Sequence, residues 1–171
     1  MENRYVIGKN IETKIITEDK LNILLDFQRD IIDKMQNKEW FTPLTKEEFL
    51  IPLQDKDNDY IFTYKKEVIG MLVLTCNIKE VLEEYKLPKG DYMLIDSIMI
   101  KDNYRGYGLQ RQLLKYAYNK ALEQKVDGLV ATVHPDNIYS LNNFLKEGYQ
   151  ILHTLQIHGG KRHVMIKYID K

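Results

Sequence analysis

The sequence predicts a mixed α/β fold built on one sheet, and three observations support this. Strand-like and helix-like segments alternate along the 171 residues. Residues 92–133 form a strand–helix–strand unit that joins two apolar strands, which predicts a parallel crossover. The chain closes on two strand-like segments around the turn His158-Gly159-Gly160-Lys161, which is typical of an antiparallel hairpin. We therefore expect a mostly antiparallel sheet with one parallel strand pair, flanked by helices.

The first half of the chain is predicted to supply three strands and three helices. Residues 11–16 form the first strand, and the segment that starts at Thr17 forms a helix to about residue 36. Thr45 is a candidate N-cap for a short helix that Pro52 should end or distort. Residues 60–76 contain two strand-like segments around Lys66 and Glu67, which predicts a hairpin, and residues 78–88 predict a short helix.

The second half is predicted to alternate strands and helices before the final hairpin. Residues 92–100 form a strand, and a helix follows a glycine-containing turn and runs to about residue 124. Residues 128–133 are continuously apolar, as expected of a buried strand, and residues 137–146 have helical periodicity. The resulting order is β-α-α-β-β-(α)-β-α-β-α-β-β, which places the glycine-containing turn inside the parallel crossover.

Length and composition favour a single domain that spans residues 1–171. With 44% hydrophobic residues, the chain can bury its own core. The 25 basic residues balance the 25 acidic ones, so no net field favours nucleic acid or an anionic membrane. The single cysteine excludes an intrachain disulfide, and no apolar segment approaches the roughly 20 residues that span a bilayer. We expect a cytoplasmic protein without nucleic-acid or membrane partners.

The turn in the crossover, "NYRGYGLQRQLL" at residues 103–114, is a candidate anion site. A helix that begins after a strand has unpaired N–H groups and a partial positive charge at its first turn. Gly106 and Gly108 would let the backbone approach a phosphate, and Arg105 or Arg111 could add charge-assisted hydrogen bonds. The alternative is that both glycines only shape a tight turn. The sequence lacks the motifs of nucleoside-triphosphate and dinucleotide loops.

The same stretch resembles the GNAT N-acetyltransferase signature, Arg/Gln-x-x-Gly-x-Gly/Ala. It matches at Arg105 and Gly108 and departs at Gln110, where the family usually has a small residue. Upstream, "LIDSIMIKDNYRG" resembles the central strand of the family. Downstream, "HPDNIYSLNNFLKEGY" resembles its Asn-containing helix, so the resemblance covers residues 94–149. It implies a GNAT-like fold in which the parallel strand pair is splayed.

The resemblance also implies the donor substrate and the residues that bind it. Acetyl-CoA would be the donor, and the pantetheine arm would lie along the central strand, pairing its amides with backbone groups. One backbone N–H there could polarise the thioester carbonyl. The pyrophosphate would lie on the N–H groups at the helix start, beside Arg105. The implied pantetheine residues are Ile98, Met99 and Ile100, and the implied pyrophosphate residues are Gly106, Tyr107, Gly108, Leu109, Gln110 and Arg111.

Asp96 is the candidate general base. The implied acceptor is a primary amine that attacks acetyl-CoA directly, without metal or acyl-enzyme, but an alkylamine with a pKa of about 10.4 is mostly charged at neutral pH. The family often has an acidic residue at this position of the central strand. Asp96 would act through water, since a carboxyl with a pKa of about 3.9 is a poor direct acceptor unless burial raises it. An equally weighted alternative is that Asp96 only orients the ammonium or a backbone group.

The helix at residues 137–146 carries the remaining implied site residues. Asn137 would cap the helix and contact CoA, with Ser140 and Asn143 on much the same face. The tyrosine that protonates the thiolate in many relatives stands seven positions after this Asn, where the present chain has Phe144. Tyr139 is the substitute that we can propose, although it could instead simply pack. A thiol pKa near 8.5 would also make the thiolate tolerable as a leaving group.

The acceptor itself is not identified by the sequence. In the family, the early helices and the final hairpin set its identity, which here indicates Trp40, Phe41 and Thr42 on one side and the Gly159-Gly160 turn on the other. The two aromatic residues could line an acceptor pocket or be buried in the core. We rank a small amine or a peptide amine first, and a homodimer stays open. Two other classes of function remain: an acyl-CoA sensor or structural subunit without turnover, and a nucleotide-binding regulatory domain that would bind ADP without pantetheine.

Overall fold

A computed structural model describes residues 9–54, 58–76 and 78–170 of the chain. Within these residues seven strands form one sheet in the order β1-β2-β3-β4-β5-β7-β6. The strands are β1 (Glu12–Ile16), β2 (Asp59–Tyr64), β3 (Glu67–Thr75), β4 (Tyr92–Ile100), β5 (Gly128–Val133), β6 (Gln150–Ile157) and β7 (Gly160–Tyr168). The α-helices are α1 (Leu21–Lys34), α2 (Lys46–Gln54), α3 (Lys79–Glu84), α4 (Leu109–Gln124) and α5 (Ile138–Lys146).

The sheet is mixed, as the sequence predicts. Strands β4 and β5 pair in parallel, and α4 connects them. The other neighbouring pairs are antiparallel. The parallel crossover, the β2–β3 hairpin and the final β6–β7 hairpin are therefore confirmed.

Helices cover both faces of the sheet, because side chains alternate sides along each strand. On one face, α4 and α5 bury a cluster that includes Leu72, Ile95, Leu113 and Phe144. On the other face, α1 and α2 bury Leu24, Phe49, Met71 and Met99 over one half of the sheet. Over the other half of that face, Tyr85, just after α3, packs with Leu94, Val130 and Ile166.

The structure refines two local predictions. Of the two predicted effects of Pro52, ending or distorting the helix, the first does not occur: α2 continues to Gln54 with the proline inside it. The start of this helix is held by a capping box: the Glu48 N–H donates to Thr45 Oγ1 at 3.2 Å, and the Thr45 N–H donates to Glu48 Oε2 at 2.7 Å. Pro52 removes one helical hydrogen bond, the one that an N–H at this position would donate to the carbonyl of Glu48, and the helix continues for two residues beyond it.

The β2–β3 turn lies one residue earlier than predicted. Lys65 and Lys66 both have positive φ, 48° and 66°, which is the backbone twist that a two-residue hairpin turn requires. Glu67 is therefore the first residue of β3 rather than part of the turn. Among the described residues, no helix combines the length and the hydrophobicity needed to cross a bilayer.

Candidate active site

Strands β4 and β5 separate after three paired positions, and this opens a gap in the sheet. Their register runs from Tyr92↔Gly128 to Leu94↔Val130. Beyond this point, β4 pairs with β3 and β5 pairs with β7. The two strand edges that face the gap thus carry backbone groups without a strand partner, and such groups need another partner when buried. An extended ligand with amide groups could supply it.

A β-bulge places Asp96 beside this gap. Val73 of β3 pairs with Ser97, whereas the next residue, Leu74, pairs with Ile95, so Asp96 is an extra residue in β4. A bulge bends its strand and redirects the side chain of the extra residue. Asp96 lies two positions beyond Leu94, the last residue of β4 that pairs with β5. The predicted base is therefore located where the strands part.

The start of α4 presents open backbone, as predicted for an anion site. Gly106 and Gly108 have φ values of 83° and 75°, a conformation that a side chain would strain. A Cβ at either position would meet nothing within 4 Å, so both glycines face open space. A tight turn explains the positive φ values, and the open space in front of them also leaves room for a ligand.

At this helix start, six consecutive N–H groups have no partner among the residues that the structure describes. Within the described parts of the chain, the backbone N–H groups of residues 106–111 have no hydrogen-bond acceptor. The first backbone bond of the helix is donated by the Gln112 N–H to the Gly108 carbonyl, at 3.2 Å. Unpaired N–H groups together with the positive end of the helix dipole make an anion site. The helix start is therefore a candidate site for an anion.

Both arginines of the turn have carboxylate partners. Arg105 Nη2 lies 3.0 Å from Asp102 Oδ1, and Arg111 Nε donates to Glu147 Oε1 at 2.6 Å. The Glu147 side chain is only 8% exposed, so the second pair is partly shielded from water. Phosphate contacts by Arg105 or Arg111 would therefore have to compete with these carboxylates, and the backbone N–H groups are the donors that are free for an anion.

A side-chain network joins the starts of α4 and α5 and accounts for Gln110. The Gln110 amide donates to Ser140 Oγ at 2.9 Å and accepts from Asn143 Nδ2 at 2.8 Å. Asn137 caps α5 by accepting from the Ser140 N–H at 3.3 Å, as predicted. Four predicted site residues are thus brought together. A small residue at position 110 could not make these two bonds, which gives the departure from the family pattern a physical role.

The two aromatic residues considered for thiolate protonation lie in different surroundings. Phe144 is 1% exposed and packs edge-to-face on Tyr149, with ring centroids 5.0 Å apart. Tyr139 is 76% exposed, and its hydroxyl makes no hydrogen bond within the described residues. The structure therefore does not connect Tyr139 by a hydrogen bond to Asp96 or to the Gln110 network.

Asp96 belongs to a buried group of polar side chains on the α1 and α2 side of the sheet. Burial, with a smaller contribution from the Glu48 charge, raises the pKa of Asp96 to about 6. A carboxyl with this pKa is ionised at neutral pH and is a better proton acceptor than an exposed one. Ser97 Oγ and Thr75 Oγ1 are buried nearby without a hydrogen-bond partner within the described residues. Buried polar groups of this kind are often bridged by water.

Asp59 is a second carboxylate in this group that sequence reasoning missed. It pairs with Val73, which pairs with Ser97, so the three residues lie in line across β2, β3 and β4. Asp59 is 0% exposed, and neither carboxylate oxygen has a hydrogen-bond partner among the described residues. Burial and the Asp96 charge raise the pKa of Asp59 to about 7. The available signal was a charged residue at the start of the apolar strand "DYIFTY".

Asp59→Asn will make the protein more stable than the wild type at pH 8. Because the pKa of Asp59 is about 7 in the folded state and about 3.8 as a free side chain, the folded state binds this proton more tightly. The stability that this proton provides is present below pH 4 and is lost as the pH rises through 7. The loss is about 3–5 kcal/mol.

Urea unfolding at pH 5 and pH 8 would measure this difference. The unfolding free energy of the wild type should fall more steeply between the two pH values than that of Asp59→Asn. Asp30→Asn, an exposed change on α1, should behave as the wild type does. Equal pH dependence of wild type and Asp59→Asn would show that Asp59 does not titrate as described.

Tyr85 and His158 form a further pair on this side of the gap, and neither was predicted as a site residue. The Tyr85 hydroxyl and His158 Nε2 are 2.7 Å apart, and the rings meet edge-to-face with centroids 5.9 Å apart. Burial raises the pKa of Tyr85, the charges of Glu84 and Asp96 add to the rise, and a hydrogen bond with Thr132 opposes it. The described residues contain no group of three His, Cys, Asp or Glu that could hold a metal ion.

The two predicted walls of the acceptor site are joined in the structure. Buried Arg162 of β7 donates through Nη2 to the carbonyl oxygen of Glu39 at 2.8 Å. The next residue, Trp40, stacks on His134, which follows β5, with ring centroids 6.3 Å apart. Phe41 packs against the core beneath α1 and α2. The Trp40 segment thus contacts both the final hairpin and the residue that follows β5.

Comparison with known proteins agrees with this geometry. The model of the Acetyltransferase (GNAT) family matches residues 26–149. None of the curated proteins matches the chain in sequence. Among solved structures, a GNAT-family acetyltransferase from Streptococcus pneumoniae has a TM-score of 0.71 and 17% identity, covering 94% of this chain and 99% of that one.

Two further structures share the fold with a similar TM-score and similar sequence identity. Arabidopsis thaliana Naa50, in complex with the bisubstrate analogue CoA-Ac-MVNAL, has a TM-score of 0.71 and 15% identity, covering 92% of this chain and 98% of that one. A ribosomal-protein-alanine N-acetyltransferase from Brucella melitensis has a TM-score of 0.71 and 20% identity, covering 92% and 99%. The family match spans most of the sheet, the gap and the glycine turn. The chain therefore belongs to the GNAT family of acetyltransferases.

Proposed function

We propose that this protein is an N-acetyltransferase that moves the acetyl group of acetyl-CoA to a primary amine by direct attack in a ternary complex. The observation that carries this proposal is the gap between β4 and β5. The glycine-opened start of α4 follows the open end of β4. The half-buried carboxyl of Asp96 lies where the gap begins. Such an arrangement can hold a long anionic cofactor on one side and a cationic acceptor on the other.

The donor would be bound chiefly by backbone groups. The six unpaired N–H groups of residues 106–111 would hold the pyrophosphate. Among the described residues, Ile98 and Met99 pair with β3 on one edge only, and the Ile100 carbonyl accepts a long hydrogen bond from Arg105 Nε at 3.4 Å. The second edge of this segment would pair with the pantetheine amides. The Gln110 network would place Asn137, Ser140 and Asn143 beside the cofactor. Solved relatives with CoA or a CoA-peptide analogue support this choice of donor.

The reaction needs an uncharged amine next to the thioester. In the proposal, Asp96 takes one proton from the acceptor ammonium, directly or through water. The amine nitrogen then forms a bond to the acetyl carbon, and a backbone N–H of residues 98–100 stabilises the oxyanion. Collapse of this intermediate breaks the carbon–sulfur bond and releases CoA thiolate, and the nitrogen loses its second proton to water to give the neutral amide. Tyr139 stays the proposed proton donor to the thiolate and regains its own proton from solvent, although a thiol pKa near 8.5 makes this step less demanding.

The proposed acceptor is a small amine or the amine of a peptide. Support for a peptide comes from the fold relatives whose bound or named substrates are peptides or proteins. Support for a small acceptor comes from the hydrogen bond between Arg162 and Glu39, which ties the Trp40 segment to the final hairpin. Both kinds of acceptor present a cationic ammonium, for which the carboxylates of Asp96 and Glu48 are the complementary charges.

A turnover assay with acetyl-CoA and a panel of amines tests the proposal. The panel should contain small mono- and diamines, amino acids and short peptides with varied N-terminal residues. Free CoA thiol should appear faster with at least one amine than without any, and mass spectrometry should find that amine 42 Da heavier, roughly the mass of one added acetyl group. Tight binding of acetyl-CoA without turnover on any amine would instead favour the acyl-CoA sensor.

A further inference from the structure

We propose that Tyr85 and His158 form a proton path from Asp96 to solvent, so that the β6–β7 turn takes part in the reaction. The inference rests on the proposed function, in which Asp96 accepts the proton of the acceptor ammonium. Tyr85 and His158 would act through Asp96 and would not need to touch the acceptor. They are therefore positioning residues rather than catalytic ones.

One end of this path is in water and the other is buried. His158 lies in the β6–β7 turn, with a φ of 53° and an exposed side chain. Tyr85 is 4% exposed, yet its hydroxyl reaches His158 Nε2 at 2.7 Å. The two residues are 73 positions apart in the chain, so the contact depends on the packing of α3 against the final hairpin. This single hydrogen bond links the interior to the surface.

The buried end of the path lies where β4 and β5 part. The Tyr85 ring packs in the cluster that contains Leu94 and Val130, the last pair between the two strands. Asp96 and Thr132 are each two positions further along their strands. Thr132 and the Asp96 charge both influence the pKa of Tyr85. The Tyr85 ring therefore lies beside the start of the gap, and its hydroxyl is directed to the surface turn.

The transfer balances without any additional reactant. The acceptor ammonium loses a proton to the Asp96 carboxylate, and the Asp96 carboxyl passes a proton to the Tyr85 oxygen, directly or through one water. Tyr85 gives its own hydroxyl proton to His158 Nε2, and the imidazolium releases its Nδ1 proton to solvent. Tyr85 gains one proton and loses one, so it is a neutral phenol before and after the transfer. Burial raises the pKa of Tyr85 and thereby disfavours its phenolate.

Nuclear magnetic resonance of the imidazole nitrogens tests the connection independently of any acceptor. The four histidines can be assigned by single substitutions, with His158→Asn suited to the left-handed turn. Tyr85→Phe should shift the resonance of His158 Nε2, because this nitrogen loses its hydrogen bond to the Tyr85 hydroxyl. Asp96→Asn should shift the same resonance, because it removes a negative charge that polarises the hydrogen-bonded hydroxyl. Tyr92→Phe, in the same buried cluster, should leave the resonance unchanged.

The double variant Tyr85→Phe with Asp96→Asn gives the decisive result. If Tyr85 connects the two groups, Asp96→Asn will shift the resonance of His158 Nε2 less in the Tyr85→Phe background than in the wild type, since hydrogen-bonded groups polarise one another. An equal shift in both backgrounds would mean interaction through space only and would overturn the path. Glu48, Asp59 and Glu84 also carry charge near Asp96 or Tyr85, and they are unchanged across this comparison.

Turnover gives the second readout. Tyr85→Phe and His158→Asn should each lower kcat about tenfold without changing the Kd for acetyl-CoA, and added imidazole should restore part of the His158→Asn loss. A merely structural role predicts no rescue by imidazole, and that result would overturn the path. If the wild type acetylates no amine, the proposed function is wrong, and the path then has no role in catalysis. The resonance measurements would still decide whether Asp96, Tyr85 and His158 are connected.

Discussion

Gly108→Glu will weaken the binding of acetyl-CoA at least about a hundredfold. A glutamate here would bring its Cβ and a negative charge into the open space in front of the unpaired N–H groups of α4. It would displace or repel the pyrophosphate, and each charge-assisted hydrogen bond that is lost is worth about 1.5–3 kcal/mol. Calorimetric titration with acetyl-CoA, CoA and ADP would measure the loss.

The chain offers a matched control for this change. Gly159 has a φ of 76°, against 75° for Gly108, and a Cβ there also meets nothing within 4 Å. Gly159→Glu therefore introduces the same charge and a similar backbone strain in the β6–β7 turn, away from α4. It should leave acetyl-CoA affinity within about twofold of the wild type.

Two outcomes would contradict the anion site. Equal acetyl-CoA affinity of Gly108→Glu and Gly159→Glu would mean that the glycines only shape a turn. Wild-type binding of ADP as tight as that of CoA would indicate that the pantetheine arm contributes nothing, which would favour a nucleotide-binding domain over an acyltransferase. Thermal unfolding of both variants would show whether either result comes from loss of the fold.

Asp96→Asn will lower kcat by about 10²–10⁴-fold, the usual contribution of a general base, while acetyl-CoA affinity changes little. Asparagine keeps the size of the side chain but cannot accept the ammonium proton. In the wild type, kcat/KM should rise with pH through about 6, the pKa of Asp96, because the base must be ionised. Asp96→Asn should lack this rise.

Steady-state kinetics between pH 5 and pH 8 would measure both effects on an amine found in the panel. Asp91→Asn is the control, because Asp91 lies just before β4 at the end away from the gap and its side chain is exposed. It should keep the wild-type rate and pH profile. A wild-type kcat for Asp96→Asn over the whole pH range would remove Asp96 from the chemistry and leave it the orienting role.

Local features of the fold could be predicted because they depend on neighbours in sequence. Strands β4 and β5 have the predicted bounds, since each is an apolar segment between clear turn residues. Asn137 caps α5 as expected, because an Asn before an apolar helical pattern satisfies the first N–H groups. The effect of Pro52 was harder to predict. Helix α2 contains this proline, and the free-energy cost of a proline inside a helix depends on the surrounding tertiary contacts.

The candidate site was predicted unevenly for the same reason. The proposed anion-binding half depends on residues that are adjacent in sequence, because Gly106 and Gly108 directly precede α4 and act through backbone conformation. Its acceptor half is not local. Asp59, Tyr85 and His158 come from three distant segments, and none stands in a recognisable motif. Only the strand order of the sheet brings them to the side of the gap where Asp96 lies.

The sequence by itself determined the family, the order of the elements and the glycine-opened helix start. These follow from periodicity, capping and steric freedom, which act over a few residues. Tertiary structure alone decided that Asp96 is the extra residue of a bulge, that Asp59 is buried without a described partner, and that Tyr85 meets His158. Burial and hydrogen bonding between distant segments depend on how the sheet packs, and no local pattern encodes them.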